Sequence, residues 1–193
     1  MLLNEPLLSG IQKMQELLEP HRTKWVLGGS CGLLLHDVKL DRSPRDIDIY
    51  VDENAVGTVY EAMRTYATDH PEYSETPIYA SILSHYQLMD CTIEAVGAFR
   101  VHALESSYQV EAGYLWDQYS FHTEVGNRKL RVMPLAHELL FNLLRCRADR
   151  YERIAEVMRQ APETHYPALK ALLARNNWSA PVLKHIEELL QLR

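Results

Sequence analysis

Residues 25–52 constrain the fold of this chain more than any other stretch. The apolar run 25–27 is typical of a buried strand, and Gly28 and Gly29 then permit a tight turn with close approach of a ligand to the backbone. Ser30 is a good helix N-cap, so we expect a helix to begin behind it. A strand, a glycine turn and a helix N-terminus together present free N–H groups, which suit an anion such as a phosphate.

A strand with paired carboxylates is predicted after a connection rich in turn-forming residues. In the run DIDIYV, Asp46 and Asp48 alternate with Ile47, Ile49 and Val51, and a period of two indicates a strand. The aspartates should therefore share one face while the apolar side chains enter the core. Adjacent carboxylates repel each other unless a cation lies between them, and Mg²⁺ is the natural candidate because it prefers carboxylates and substrate phosphates. The alternative is a surface hairpin with two solvated aspartates.

The order and spacing of these motifs resemble those of a known family. The Gly28-Gly29-Ser30 turn, fifteen further residues and the Asp46-Ile47-Asp48 strand together resemble the signature of the nucleotidyltransferase superfamily, which has a polymerase-beta-like fold. The spacing resembles that of the small bacterial members, including antibiotic nucleotidyltransferases and toxin–antitoxin nucleotidyltransferases. The resemblance covers residues 22–100 well. It implies that a nucleoside monophosphate is moved from an NTP to an acceptor hydroxyl, with release of pyrophosphate.

The resemblance also implies a third carboxylate on a strand beside the aspartate pair. Apolar alternation over 82–89 and 92–96 predicts a hairpin that turns at Asp90. Glu94 lies within the second of these strands, where a buried carboxylate needs a partner, and we predict that it is the third carboxylate. An edge-strand position facing solvent is the alternative for Glu94. Asp90 is the second candidate, although aspartate is also a preferred turn residue.

Roles for the three carboxylates follow from the same resemblance. Asp46 and Asp48 are expected to hold two Mg²⁺ ions, one of them on the triphosphate and the other on the attacking hydroxyl. Glu94 is expected to be a further ligand of the acceptor-side ion and to accept the hydroxyl proton. A non-catalytic nucleotide- or partner-binding module with the same fold, for example in a toxin–antitoxin system, is the rival reading. The two readings make different predictions for Glu94. In the enzyme its carboxylate converges on Asp46 and Asp48, and in the non-catalytic module it does not.

The phosphate-binding residues are predicted in the same way. The backbone N–H groups of Gly28, Gly29 and Ser30, together with the serine hydroxyl, are expected to bind the β- and γ-phosphates of the NTP. Arg42 or Arg45 would neutralise charge that develops on the pyrophosphate. A structural counter-ion for the aspartate pair is an equal alternative for either arginine.

The remainder of the chain predicts helices around this sheet. Apolar residues at helical spacing predict helices over 7–18 and 54–67, and a second hairpin is predicted around Gly126 from strands 119–125 and 129–133. Pro134 opens an apolar stripe that predicts one long helix through Met158, followed by helices at 167–175 and 181–192. We therefore predict an α/β (α+β) fold with a mixed sheet, a catalytic domain over 1–133 and a helical region over 134–193 packed on it.

Three arginines lie within the predicted long helix. Arg145, Arg147 and Arg150 occur close together with Asp149. The segment loosely resembles the helix that follows the catalytic sheet in small nucleotidyltransferases, although Ala148 stands where a basic residue is usual before the aspartate. A solvated face with ion pairs three or four residues apart is the alternative.

Composition narrows the choice of partners. The formal net charge of −6 argues against extended nucleic-acid binding and favours a small hydroxylated molecule or a protein side chain as the acceptor. Cys31, Cys91 and Cys146 form no CxxC pair, which predicts reduced thiols in a cytoplasmic protein. No apolar run approaches the ~20 residues of a membrane span, and residues 1–6 lack a signal-peptide pattern.

Overall fold

The computed structural model describes residues 3–192, which form one eight-stranded mixed sheet with helices on both faces. The predicted α/β fold class is confirmed. The strands are β1 (Val26–Gly28), β2 (Asp46–Val51), β3 (Glu72–Glu75), β4 (Tyr79–Leu88), β5 (Cys91–Ala103), β6 (Ser106–Gln109), β7 (Phe121–Val125) and β8 (Arg128–Val132).

The sheet order brings three separate stretches of the sequence side by side. The strands run β3-β4-β5-β2-β1-β8-β7, and β6 pairs with the far part of β5. Strand β2 is antiparallel to β1 and parallel to β5. In this register Asp48 lies beside Gly28 on one side and beside Glu94 on the other. The glycine turn and the two carboxylate strands therefore meet at the centre of the sheet.

The helices are named in chain order. They are α1 (Glu5–Leu18), α2 (Gly29–Leu35), α3 (Val56–Met63), α4 (Ala112–Gln118), α5 (Leu135–Leu144), α6 (Ala148–Gln160), α7 (Pro162–Arg175) and α8 (Ala180–Leu190).

Two hydrophobic cores lie on opposite faces of the sheet, as the alternation in β2 requires. Ile47 and Ile49 pack with Ile11 of α1 and Met63 of α3 in one core. Tyr50 shares the other face of β2 with the aspartates and packs in the core that holds α5 and the C-terminal helices. The aspartates therefore face the side of the sheet that the C-terminal helices cover.

Helix α5 is buried along its whole length and ends abruptly. All ten of its residues are buried, which fits a helix that is mostly apolar all round. Cys146 has a left-handed backbone (φ 56°), and its N–H donates to Leu143 O while Arg147 N–H donates to Asn142 O. This bonding pattern is a Schellman motif, which terminates a helix. The prediction of one continuous helix through Met158 is therefore wrong, because the motif forms here without the glycine that usually marks it.

Other sequence predictions differ from the structure in detail. Both hairpins are present, with turns at 89–90 and 126–127. The predicted helix over 54–67 is α3 flanked by two 3-10 turns, Glu53–Ala55 and Arg64–Tyr66. The connection after it contains β3, which was not predicted. Helix α7 begins five residues before Pro167, and this proline lies inside it.

The domain boundary at residues 133/134 stays a prediction. In residues 3–192 no helix is both long and apolar enough to cross a membrane.

Candidate functional site

The glycine turn fits tightly against the aspartate strand. Strand β1 ends at Gly28 and α2 begins at Gly29, whose φ of +58° is left-handed. A Cβ atom at Gly29 would overlap the Asp48 carboxylate, so only glycine allows this approach. The prediction that Ser30 is the N-cap is wrong, because Gly28 occupies that position and Ser30 lies in the first helical turn. The Ser30 hydroxyl instead accepts a hydrogen bond from Arg150 Nη1 at 3.0 Å.

The three predicted carboxylates line one cavity. Asp46, Asp48 and Glu94 surround a space of about 360 Å³ together with Gly29 and Ser30. Burial, together with the negative charges of Asp46 and Glu94, raises the pKa of Asp48 to about 7. The cavity thus concentrates negative charge, which a bound cation would relieve.

The second candidate for the third carboxylate lies elsewhere. Asp90 is exposed in the turn between β4 and β5 and does not line the cavity. Its position matches the preference of aspartate for turns.

A fourth carboxylate, which we did not predict, holds the glycine turn. Glu138 of α5 is 1% exposed, and its Oε1 accepts a hydrogen bond from the Gly29 N–H at 2.8 Å. Asn142, one turn later, donates from Nδ2 to the Glu138 carbonyl at 2.8 Å. Burial raises the pKa of Glu138 to about 7, and the bond from Gly29 opposes this rise. The sequence does single out Glu138, because it is the one acid in the mostly apolar segment 135–144, but it does not indicate Gly29 as the partner.

Three arginines of the C-terminal helical region also line the cavity. Arg145, Arg147 and Arg150 all line it, and the break between α5 and α6 brings the first two there. Arg145 also stacks over the Phe141 ring, with 4.6 Å between Cζ and the ring centroid. Arg145 and Arg150 lie close enough to the buried carboxylates to lower the pKa of Glu138. The guanidinium of Arg147 instead donates to the exposed carboxylate of Asp149 at 2.7 and 2.9 Å.

The two arginines predicted from the signature lie outside this cavity. Arg42 lines a neighbouring depression that it shares with Arg147 and Arg150. Arg45 is exposed beside Asp46 at the start of β2. Neither lines the space between the carboxylates and the glycine turn.

Aromatic and hydroxylated side chains complete the lining of the cavity. Phe99 and Phe141 meet edge to face with ring centroids 5.2 Å apart, and Tyr79 lies 6.0 Å from each. Hydroxyl groups from β3, β4 and the turn between them also line the cavity; they belong to Ser74, Thr76 and Ser81. The cavity lining therefore combines carboxylates, arginines, hydroxyl groups and an aromatic cluster, and Arg145 joins the arginines to that cluster by stacking on Phe141.

The donor chemistry suits a magnesium ion that is shared with a phosphate. Within residues 3–192, no three histidine, cysteine, aspartate or glutamate side chains are grouped so that they could hold a metal ion by themselves. Mg²⁺ usually takes only one or two carboxylates and completes its shell with water and substrate phosphates. Asp46 and Asp48 meet that need, and the raised pKa of Asp48 shows that the site favours added positive charge.

Solved structures share this fold over nearly their whole length. TM1012 from Thermotoga maritima, assigned as a nucleotidyltransferase, has a TM-score of 0.66 at 21% identity, with 84% of this chain and 96% of that chain covered. The solution structure of the antibiotic-resistance factor ANT(2'')-Ia has a TM-score of 0.53 at 13% identity, with 94% and 97% covered. The crystal structure of ANT(2'')-Ia with adenylyl-2''-tobramycin gives 0.50 at 14% identity, with 88% and 98% covered.

Sequence comparison alone detects no relationship. No protein-family model matches the chain, and the search among curated proteins found no match. At identities this low, structural similarity establishes the fold. The chain therefore has the nucleotidyltransferase fold that its glycine turn and aspartate strand predicted.

Proposed function

We propose that the protein is a magnesium-dependent nucleotidyltransferase that moves a nucleoside monophosphate from an NTP to a hydroxyl group. One observation carries the proposal: Asp46, Asp48 and Glu94 line the same cavity as the Gly29–Ser30 turn and three arginines. Nucleotidyl transfer needs this combination, because a triphosphate requires cationic partners and the reacting groups require metal-binding carboxylates. The shared fold supports the proposal independently.

The carboxylates would hold the metal and the acceptor proton. Asp46 and Asp48 would bind Mg²⁺ with the substrate phosphates, and Glu94 would complete the acceptor side. Bound there, magnesium would supply charge neutralisation for the triphosphate and a lower pKa for the acceptor hydroxyl. Glu94 would accept the proton that this hydroxyl loses.

Phosphate binding would rely on Ser30 and the arginines more than on the glycines. The Gly29 N–H already donates to Glu138, so this group is not free for a phosphate in the structure described here. Ser30 and Arg150 lie in contact at the edge of the cavity and would bind the β- and γ-phosphates together. Gly28 and Gly29 would then serve to let the substrate approach the backbone closely.

The acceptor would be a small hydroxylated molecule or a protein side chain. ANT(2'')-Ia, which shares the fold, was crystallised with adenylyl-2''-tobramycin, a modified small molecule. The aromatic side chains that line the cavity would contact such an acceptor. We place the activity in the cytoplasm, where the cysteines, all free within the described residues, would stay reduced.

Nucleotide binding tests the metal site. Calorimetry with α,β-methylene-ATP should show binding that needs Mg²⁺ and that falls at least ~10-fold in Asp46→Asn and Asp48→Asn. Asp90→Asn, in the exposed turn of β4 and β5, is the matched control and should bind as the wild type does. Equal affinity with and without Mg²⁺ would overturn the metal site and favour a non-catalytic binding module.

Labelling tests the reaction and its acceptor. The protein is incubated with α-labelled ATP, Mg²⁺ and either bulk tRNA or a small-molecule and protein pool from a cell extract. We expect pyrophosphate release and label on the second pool. Label on tRNA alone, with affinity that falls steeply as salt rises, would overturn the acceptor class. No release with any of the four NTPs would overturn the proposed enzyme activity.

A further inference from the structure

The proposed proton acceptor has a partner on the neighbouring strand. Strands β4 and β5 pair so that His85 lies directly opposite Glu94. His85 Nε2 is 3.5 Å from Glu94 Oε2. Glu94 is only partly buried, so burial alone does not demand this partner.

His85 is in turn fixed by the segment that follows α3. Asp69 accepts two hydrogen bonds from it, one from the backbone N–H at 2.7 Å and one from ring Nδ1 at 2.5 Å. Thr68 donates its backbone N–H and its hydroxyl to the His85 carbonyl, at 2.9 and 3.1 Å. Both the main chain and the ring of His85 are therefore held, and the ring can turn little about its Cβ.

The Glu94 contact is suited to orientation rather than to stability. The side chains of His85 and Glu94 are 36% and 38% exposed, and an ion pair this accessible to water contributes little to the free energy of unfolding. A glutamate side chain at the rim of an open cavity has several rotamers available. One fixed partner at Oε2 reduces that choice while the other carboxylate oxygen remains available to an acceptor.

We propose that His85, held by Asp69, is a positioning residue that orients the Glu94 carboxylate toward the acceptor hydroxyl. This inference rests on the proposed function, in which Glu94 accepts the hydroxyl proton. The histidine acts through Glu94 and not on the substrate. Loss of the contact should therefore lower the rate of transfer and leave nucleotide binding almost unchanged.

Two amide substitutions separate the two contacts of the ring. The amide nitrogen of glutamine reaches about as far as Nε2, whereas that of asparagine reaches about as far as Nδ1. His85→Gln thus keeps a donor for Glu94, and His85→Asn keeps the donor for Asp69. Each variant is assayed for Mg²⁺-dependent pyrophosphate release from ATP with the extract pool as acceptor, and its thermal midpoint is measured in parallel.

We expect His85→Asn and His85→Ala to lower kcat roughly 10- to 100-fold with KM for ATP within about twofold of the wild type. His85→Gln should recover most of the rate. A merely structural role predicts the reverse order, because asparagine keeps the bond that ties the strand to Asp69. The kcat of Asp69→Asn should lie between those of the wild type and His85→Ala, since this change weakens the hold on the His85 ring without removing it.

The outcomes distinguish this inference from the function on which it rests. Two results would show that the positioning role is wrong while the enzyme activity stands. In the first, the wild type releases pyrophosphate but His85→Asn is as active as His85→Gln. In the second, the rates of the variants follow their thermal midpoints. If the wild type releases none from any NTP, the proposed function is wrong and the inference falls with it.

Discussion

Glu138 predicts an unusual dependence of stability on pH. Its side chain is 1% exposed, and burial raises its pKa from 4.5 to about 7. Between these values the folded protein keeps a proton that the unfolded chain has released, so the free energy of unfolding falls as pH rises. At 1.36 kcal/mol per pH unit the loss reaches about 3 kcal/mol near neutral pH.

Glu138→Gln should remove this loss, because the amide cannot ionise but keeps an oxygen that can accept from Gly29. We expect the stability of the variant relative to the wild type to rise by about 2.5 kcal/mol from pH 5 to pH 8. Urea unfolding at four pH values, followed by tryptophan fluorescence, measures the difference. Glu138→Leu also removes the acceptor, so it should be less stable than the glutamine variant by about 1 kcal/mol at every pH.

Asp48 also has a raised pKa and would contribute to the same pH dependence, so the experiment includes a control for it. Because the pKa of Asp48 is also about 7, Asp48→Asn is measured alone and combined with Glu138→Gln. If the stability difference between Glu138→Gln and the wild type stays constant from pH 5 to pH 8, Glu138 does not ionise in this range and the reasoning is refuted.

Two further pairs of substitutions test the turn and the arginines. Arg150→Ala removes the contact with Ser30 and should raise KM for Mg-ATP about 10-fold, whereas Arg45→Ala, outside the cavity, should leave it within about twofold. Equal KM values in steady-state assays would contradict a phosphate role for Arg150. Gly29→Ala should lower the free energy of unfolding by more than the ~1 kcal/mol expected of Gly126→Ala. Both glycines are left-handed, but a Cβ at Gly126 meets only the flexible end of Gln12, whereas one at Gly29 meets the whole Asp48 carboxylate. Equal losses in urea unfolding would refute the tight fit.

The centre of the site could be predicted because its signals are local. Gly29, Asp46 and Asp48 lie on elements whose type and facing follow from short periodic patterns. Glu94 could be placed because a carboxylate in an apolar strand is conspicuous, and the register of β5 against β2 then brings it to Asp48. Ser30 was assigned the wrong role because α2 follows β1 directly and begins at Gly29, two residues earlier than a helix capped by Ser30 would.

The helical wall could not be predicted because it depends on long-range packing. Glu138 becomes a partner of Gly29 only when α5 lies across the sheet, and nothing near it in the sequence indicates that contact. The arginines were visible as a cluster, but a continuous helix would place them differently. Their orientation depends on the left-handed backbone of Cys146, a residue type that gives little warning of a helix end.

The order in which the chain is synthesised determines when each part of the cavity lining is present. Asp46, Asp48 and Glu94 are all present before any part of α5 or α6 has been made. A nascent chain that ends at Met133 would carry the acidic centre without Arg145 or Arg150 to offset it. It would also leave the apolar side of Tyr50 and Phe99 uncovered, since α5 packs there. Binding of the triphosphate and burial of this face would thus both await the same last third of the protein.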